Sequence, residues 1–164
     1  MWQAREGKGE EGSRMLSLTK TWSPDPRIAA TSREWMVVGS TFQLRLVDDS
    51  RWPWLLLMPM APGVVEIDEL GVEMAGIAMR RAAQAGRALR AATGRTKTNI
   101  ATIGNVVPQL HIHVVARAEG DPAWPAPVWG HGEAVPYTAD EAADLRARFD
   151  AAWKEQTSWF DRLP

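Results

Sequence analysis

The sequence predicts an α+β domain: an antiparallel sheet carrying one long packed helix, with a second helix at the C-terminal end. Three observations carry that expectation. Short strand-like runs follow one another in series, one long stretch with small residues at helical spacing interrupts them, and a capped helical segment closes the chain. The 164 residues have room for one domain. Residues 1–33 are expected to form a poorly ordered N-terminal extension without function, because Gly, Ser, Pro and charges dominate and the apolar residues follow no period. Residues 34–164 are expected to form the single domain, C-terminal helix included.

The elements follow in order. Trp35-Met36-Val37-Val38, a Gly39-Ser40 turn, and Thr41 to Val47 with Phe42, Leu44 and Leu46 alternating against Gln43 and Arg45 read as a hairpin. Asp48 to Arg51 is a turn. Trp54 to Met58 is almost wholly apolar and is expected to be a central strand covered on both faces. Ala61-Pro62-Gly63 breaks it. Val72 to Thr93 reads as the main helix, since positions 75, 78, 82, 85, 89 and 92 are Ala, Ala, Ala, Ala, Leu and Ala, while Arg80, Arg81, Arg87 and Arg90 sit largely off that stripe. Small residues let such a helix lie close on a sheet, and Gly94 is placed to cap its end. Lys97 to Ile103 is a strand, Gly104 to Pro108 a loop, and Gln109 to Arg117 a further strand. A loop rich in Pro and Trp covers Gly120 to Pro136. Thr138 to about Lys154 is the closing helix, with Thr138 as N-cap and Glu141 completing a capping box.

Composition removes several function classes. Lys plus Arg number 19 against 20 for Asp plus Glu, a net charge of -1, so no global field draws a nucleic-acid polymer or an anionic membrane. No cysteine is present, which excludes thiolate nucleophiles and thiolate metal sites. The longest apolar run is far too short to span a bilayer, and Met1 to Arg14 lacks the apolar run of a secretory leader, so a cytoplasmic location is expected.

Chemistry is concentrated at Gln109-Leu110-His111-Ile112-His113. A strand has a side-chain period of two, so Gln109, His111 and His113 are expected on one face with Leu110, Ile112 and Val114 on the other. Three readings are open. The imidazoles are a solvated strand surface; or they ligate a metal, which lacks a clear third ligand unless His131 swings in from its Gly-flanked loop; or one is a nucleophile toward phosphorus. The last needs a neutral ring whose second nitrogen is held on a fixed acceptor, with donors for the phosphoryl oxygens. His111 is the central ring, His113 and Gln109 lie beside it, and Asn105 in the preceding loop supplies an amide.

At these residues the sequence resembles the histidine triad (HIT) superfamily, whose signature is His-φ-His-φ-His-φ-φ with φ apolar. Gln109 to Arg117 follows that signature with Gln109 at the first histidine, in the manner of a bacterial hydrolase-like member, and the order of the other elements over about residues 35 to 130 agrees. The resemblance implies a HIT-like fold, usually as a homodimer. It also implies a nucleotide hydrolase or nucleotidyl transferase that acts without cofactor or metal at an α-phosphate, through a nucleotidyl-histidine intermediate. The substrates implied are dinucleoside polyphosphates or nucleoside phosphoramidates. His111 falls on the family's nucleophile, His113 on its last histidine, and Gln109 on the histidine that supports the nucleophile. Asn105 falls on the amide that contacts phosphate, and Asp48 or Asp49 on the residue that binds ribose hydroxyls. A rival reading is a nucleotide-binding sensor with little turnover, weakened by the change at Gln109.

Outside the motif, one of Trp124 and Trp129, with Trp124 preferred, is a candidate to cover the base or reach a partner subunit's pocket, against a reading in which both pack their loop onto the sheet. Trp52 and Trp54 are expected to be packing residues. Arg117 is expected to be solvated, and the arginines of the main helix form an exposed face.

Overall fold

The computed structural model describes residues 22–160, with side chains described to residue 156. Five strands form one antiparallel sheet: β1 (Ser32–Val38), β2 (Phe42–Val47), β3 (Trp54–Pro59), β4 (Lys97–Thr102) and β5 (Ile112–Arg117). Their spatial order is β1-β2-β3-β5-β4, so β3 is central as its apolar composition requires, and β4 is an edge. The helices are α1 (Pro26–Thr31), α2 (Gly71–Thr93) and α3 (Ala139–Phe160), with a 3-10 turn at Ile67–Leu70 that leads into α2.

Cross-strand pairs share a face, so the register Leu46↔Leu55, Leu44↔Leu57, Leu55↔Val114 and Leu57↔Ile112 puts these aliphatic residues on one side. There they meet Ala78, Ala82, Ala85 and Leu89 of α2 and Leu145 and Phe149 of α3 in the main core. The small-residue stripe brings α2 so near the sheet that a Cβ added to Gly86 would stand 2.7 Å from Thr98 Cγ2. Gly94 ends the helix with φ +66°, a left-handed conformation that costs glycine little. At α3, Thr138 Oγ1 accepts from Glu141 N at 3.2 Å while Glu141 Oε2 accepts from Thr138 N at 2.9 Å, the expected reciprocal cap.

The opposite face carries a second set by the same register: Leu56↔His113 and Trp54↔Val115. Two smaller apolar clusters cover it. One joins Trp52 and Val115 to Ala123 and Val128 of the long loop; the other joins Leu56 and Met58 to Ile28 of α1. This face holds the histidines.

Three expectations are corrected. Residues 22–33 are no loose lead-in: Asp25 caps α1, Pro26 opens it and β1 starts at Ser32. The remainder of the expected extension, residues 1–21, lies outside the described residues. β5 starts at Ile112, not Gln109, because Leu110 N bonds the carbonyl of Val64 at 3.0 Å and draws the chain toward the loop before α2. Arg117 is not solvated. It is 1% exposed and locked to Asp121 at 2.6 and 2.9 Å. No helix among the described residues is long and apolar enough to cross a membrane.

Candidate active site

His113 on β5 and His111, in the residue just before that strand, bring their imidazoles together with ring centroids 4.8 Å apart. Both are buried. His111 Nδ1 lies 2.7 Å from the carbonyl oxygen of Gln109. A carbonyl oxygen only accepts, so Nδ1 carries a proton, and in the neutral form of the ring Nε2 has the lone pair. In front of His111 is a small cavity of about 130 Å³ lined by Asn105, Gly104, Thr102 and Glu66 among others. The loop therefore brings Asn105 and His111 together at one hollow.

His113 has different surroundings. Trp54 Nε1 donates to its Nδ1 at 3.1 Å. Trp129 stands edge-on to it at 5.3 Å, and the two indoles meet at 5.8 Å, so His113 is walled by Trp54, Trp129 and His111. Burial first, then the neighbouring charge of His111, lowers its pKa to about 4, with the Ile103 carbonyl acting in the opposite sense. His113 is neutral at pH 7. Its Nε2 is buried without a hydrogen-bond partner of normal geometry among the described residues.

Trp54 and Trp129 also wall a larger cleft of about 410 Å³ with Asp48, Asp49, Arg51 and His131. Asp49 is the more enclosed carboxylate. It accepts from Arg51 at 2.7 and 2.8 Å and from Val135 N at 3.3 Å, and these bonds hold its pKa low against the cost of burial. Asp48 binds Arg33 and Tyr137 N at 3.0 Å each, yet its side chain stays 29% exposed against 4% for Asp49, so Asp48 offers the more open oxygen.

The remaining sequence candidates sit elsewhere. The Gln109 side chain turns away from the imidazoles: its Oε1 accepts from Asp25 N at 2.6 Å and its Nε2 donates to Ser23 O at 3.0 Å. Only its backbone carbonyl serves His111. Trp124 lies with its ring 5.8 Å from the Arg117 guanidinium, among the partners of that ion pair and not beside the histidines. His131 packs edge-on against Trp52 at 5.7 Å, and among the described residues no three His, Cys, Asp or Glu side chains gather as a metal site.

Sequence reasoning missed Trp54 and the segment from Ser23 to Arg27, and preferred Trp124 to Trp129. Arg27 Nη1 donates to Val106 O at 2.7 Å, so this segment grips the Asn105 loop as well as Gln109. An Asp-Pro start, a helix N-cap followed by proline at the first helical position, was the available signal for α1.

A sheet that carries paired imidazoles on one face and a close-packed helix on the other defines the class to which comparison with known proteins also leads. The HIT domain family matches residues 40–120. A histidine triad protein from Sinorhizobium meliloti is 38% identical, and its structure aligns over 82% of this chain and 98% of its own with a TM-score of 0.79. Histidine triad proteins from Bradyrhizobium japonicum (34% identity, 80% and 97% of the two chains, TM-score 0.76) and Marinobacter aquaeolei (33%, 82% and 98%, TM-score 0.77) are similarly close. Comparison with curated proteins gives no match. The chain belongs to the histidine triad family.

Proposed function

We propose that this protein is a nucleotide hydrolase or nucleotidyl transferase that attacks an α-phosphate with His111. The observation that carries the reading is the 2.7 Å contact between His111 Nδ1 and the Gln109 carbonyl, which leaves the Nε2 lone pair as the nucleophile. Nε2 forms a bond to phosphorus while the bond to the leaving group breaks in line, and the leaving group departs with that electron pair, an amine taking up a proton from solvent as it leaves. Water then attacks the nucleotidyl-histidine, the P–N bond breaks, and the mononucleotide is released with His111 regenerated. His113 and Asn105 donate to the phosphoryl oxygens as charge develops. The larger cleft takes the nucleoside, with Asp48 toward the ribose hydroxyls and Trp129 against the base.

The hollow before His111 supports one substrate type over the other. Glu66 is among its lining residues and no Lys or Arg is, an unfavourable setting for a polyphosphate leaving group and a tolerable one for an amine. Nucleoside phosphoramidates are therefore the preferred class, ahead of dinucleoside polyphosphates. We also propose a homodimer in which the free edge of β4 takes part, a state that sedimentation equilibrium reads directly.

The test pairs an adenosine phosphoramidate with diadenosine tetraphosphate. Turnover that disappears in His111→Ala, with a nucleotidylated protein trapped by acid quench and seen by intact mass in the wild type, supports the reading. Tight nucleotide binding without product from either compound turns it toward a sensor. Turnover unchanged in His111→Ala rejects the nucleophile.

A further inference from the structure

We propose that Trp54 is a positioning residue for this reaction: its indole N–H holds His113 in one tautomer, with the proton on Nε2, so that the ring meets phosphoryl oxygens as a donor. The inference rests on the phosphoryl-transfer reading and adds a residue to it.

The argument is one of donors and acceptors. Indole nitrogen only donates, so the 3.1 Å bond from Trp54 Nε1 requires a lone pair on His113 Nδ1. A neutral imidazole then carries its single proton on Nε2. Two rings only two residues apart are thereby held in opposite tautomers. The Gln109 carbonyl keeps the proton of His111 on Nδ1, and the Trp54 indole keeps that of His113 off Nδ1. One ring offers a lone pair and the other a hydrogen. With the tautomer of His113 reversed, two lone pairs would face an anion.

Geometry makes the arrangement rigid. Trp54 sits on β3 opposite Val115, and the register Leu56↔His113 sets the two strands so that the indole of one reaches the imidazole of the other. The rings stand 5.5 Å apart at 52°, and Trp129, edge-on to both, closes the remaining side. His113 Nε2 itself is buried and makes no hydrogen bond of normal geometry among the described residues, while the backbone of Ile103, which leads into the Asn105 loop, is an influence on the ring.

The decisive probe keeps the shape of Trp54 and removes its N–H. The full chain carrying 3-benzothienylalanine at position 54, with Trp54→Phe as a second variant, is compared with wild type by ¹⁵N NMR of the imidazole nitrogens and by steady-state kinetics on an adenosine phosphoramidate. The chain has three histidines, so His131→Gln and His111→Ala assign the signals. In the wild type His113 shows a bare Nδ1 and a protonated Nε2. Loss of the N–H is expected to mix the two forms and lower kcat about tenfold with KM within twofold. A wild-type His113 protonated at Nδ1, or unchanged kcat in the isosteric variant, overturns the proposal. Failure of the phosphoryl-transfer reading is a separate result, a wild type that neither binds nor turns over nucleotide whatever its tautomers, and it removes the catalytic role of Trp54 too.

Discussion

The side-chain oxygen of Gln109 accepts a hydrogen bond from the backbone N–H of Asp25 at 2.6 Å, across 84 positions of sequence. The same residue donates to Ser23 O at 3.0 Å and offers its carbonyl to His111. Where the family signature has its first histidine, this chain has a clasp for its own N-terminal segment. Gln109→Ala removes both side-chain bonds and leaves the carbonyl in place. We predict a loss of about 1 to 3 kcal/mol in chemical denaturation, with faster hydrogen exchange at residues 23–28. Unchanged protection of that segment would contradict the clasp.

Acid should destabilise the protein through His113. Its pKa is lowered to about 4 by burial and by His111, whereas the unfolded chain titrates near 6.5. Above pH 6.5 both states are neutral at this ring and the folded state loses nothing. Between pH 6.5 and 4 the unfolded chain binds a proton that the folded one refuses, so stability falls, by about 3 kcal/mol at most, and levels off below pH 4. His113→Gln should flatten that part of the stability curve, measured by urea midpoints at successive pH values.

Gly86 marks the closest approach of α2 to the sheet. Gly86→Ala gains about 1 kcal/mol of helix propensity but drives a methyl to 2.7 Å from Thr98 Cγ2, an overpacking that costs about 1 to 3 kcal/mol. A net loss is expected. In a Thr98→Ala background the clash is absent and the same change should stabilise. The double-mutant cycle reads the sign reversal.

The Arg117 and Asp121 side chains are 1% and 0% exposed. Asp121→Asn should cost about 3 to 5 kcal/mol because it leaves a buried guanidinium without its counter-charge, whereas Arg117→Met with Asp121→Leu should cost much less. Thermal unfolding of the two variants orders them.

The parts of this molecule that were legible in the sequence are the periodic ones. The alanine stripe of α2, the alternation of β2 and the Thr138 to Glu141 box each follow from a local repeat, and the imidazole pair was visible because a strand puts residues i and i+2 on one side. Trp54 was not visible as a partner of His113. Their contact depends on how β3 and β5 are registered, a relation between residues 59 positions apart that no local pattern encodes. Trp124 was chosen over Trp129 for a similar reason, since the loop's own sequence does not say which of its indoles turns toward the sheet. The segment before β1 was misjudged because a helix of six residues is too short to show a period.

Two of the nine tryptophans, Trp54 and Trp129, press directly on the His113 imidazole. The molecule thus has its own optical reporter: emission from these indoles responds to whatever occupies the cleft they wall, and a titration needs no added dye. Filling the site and reading it become a single measurement on the unmodified chain.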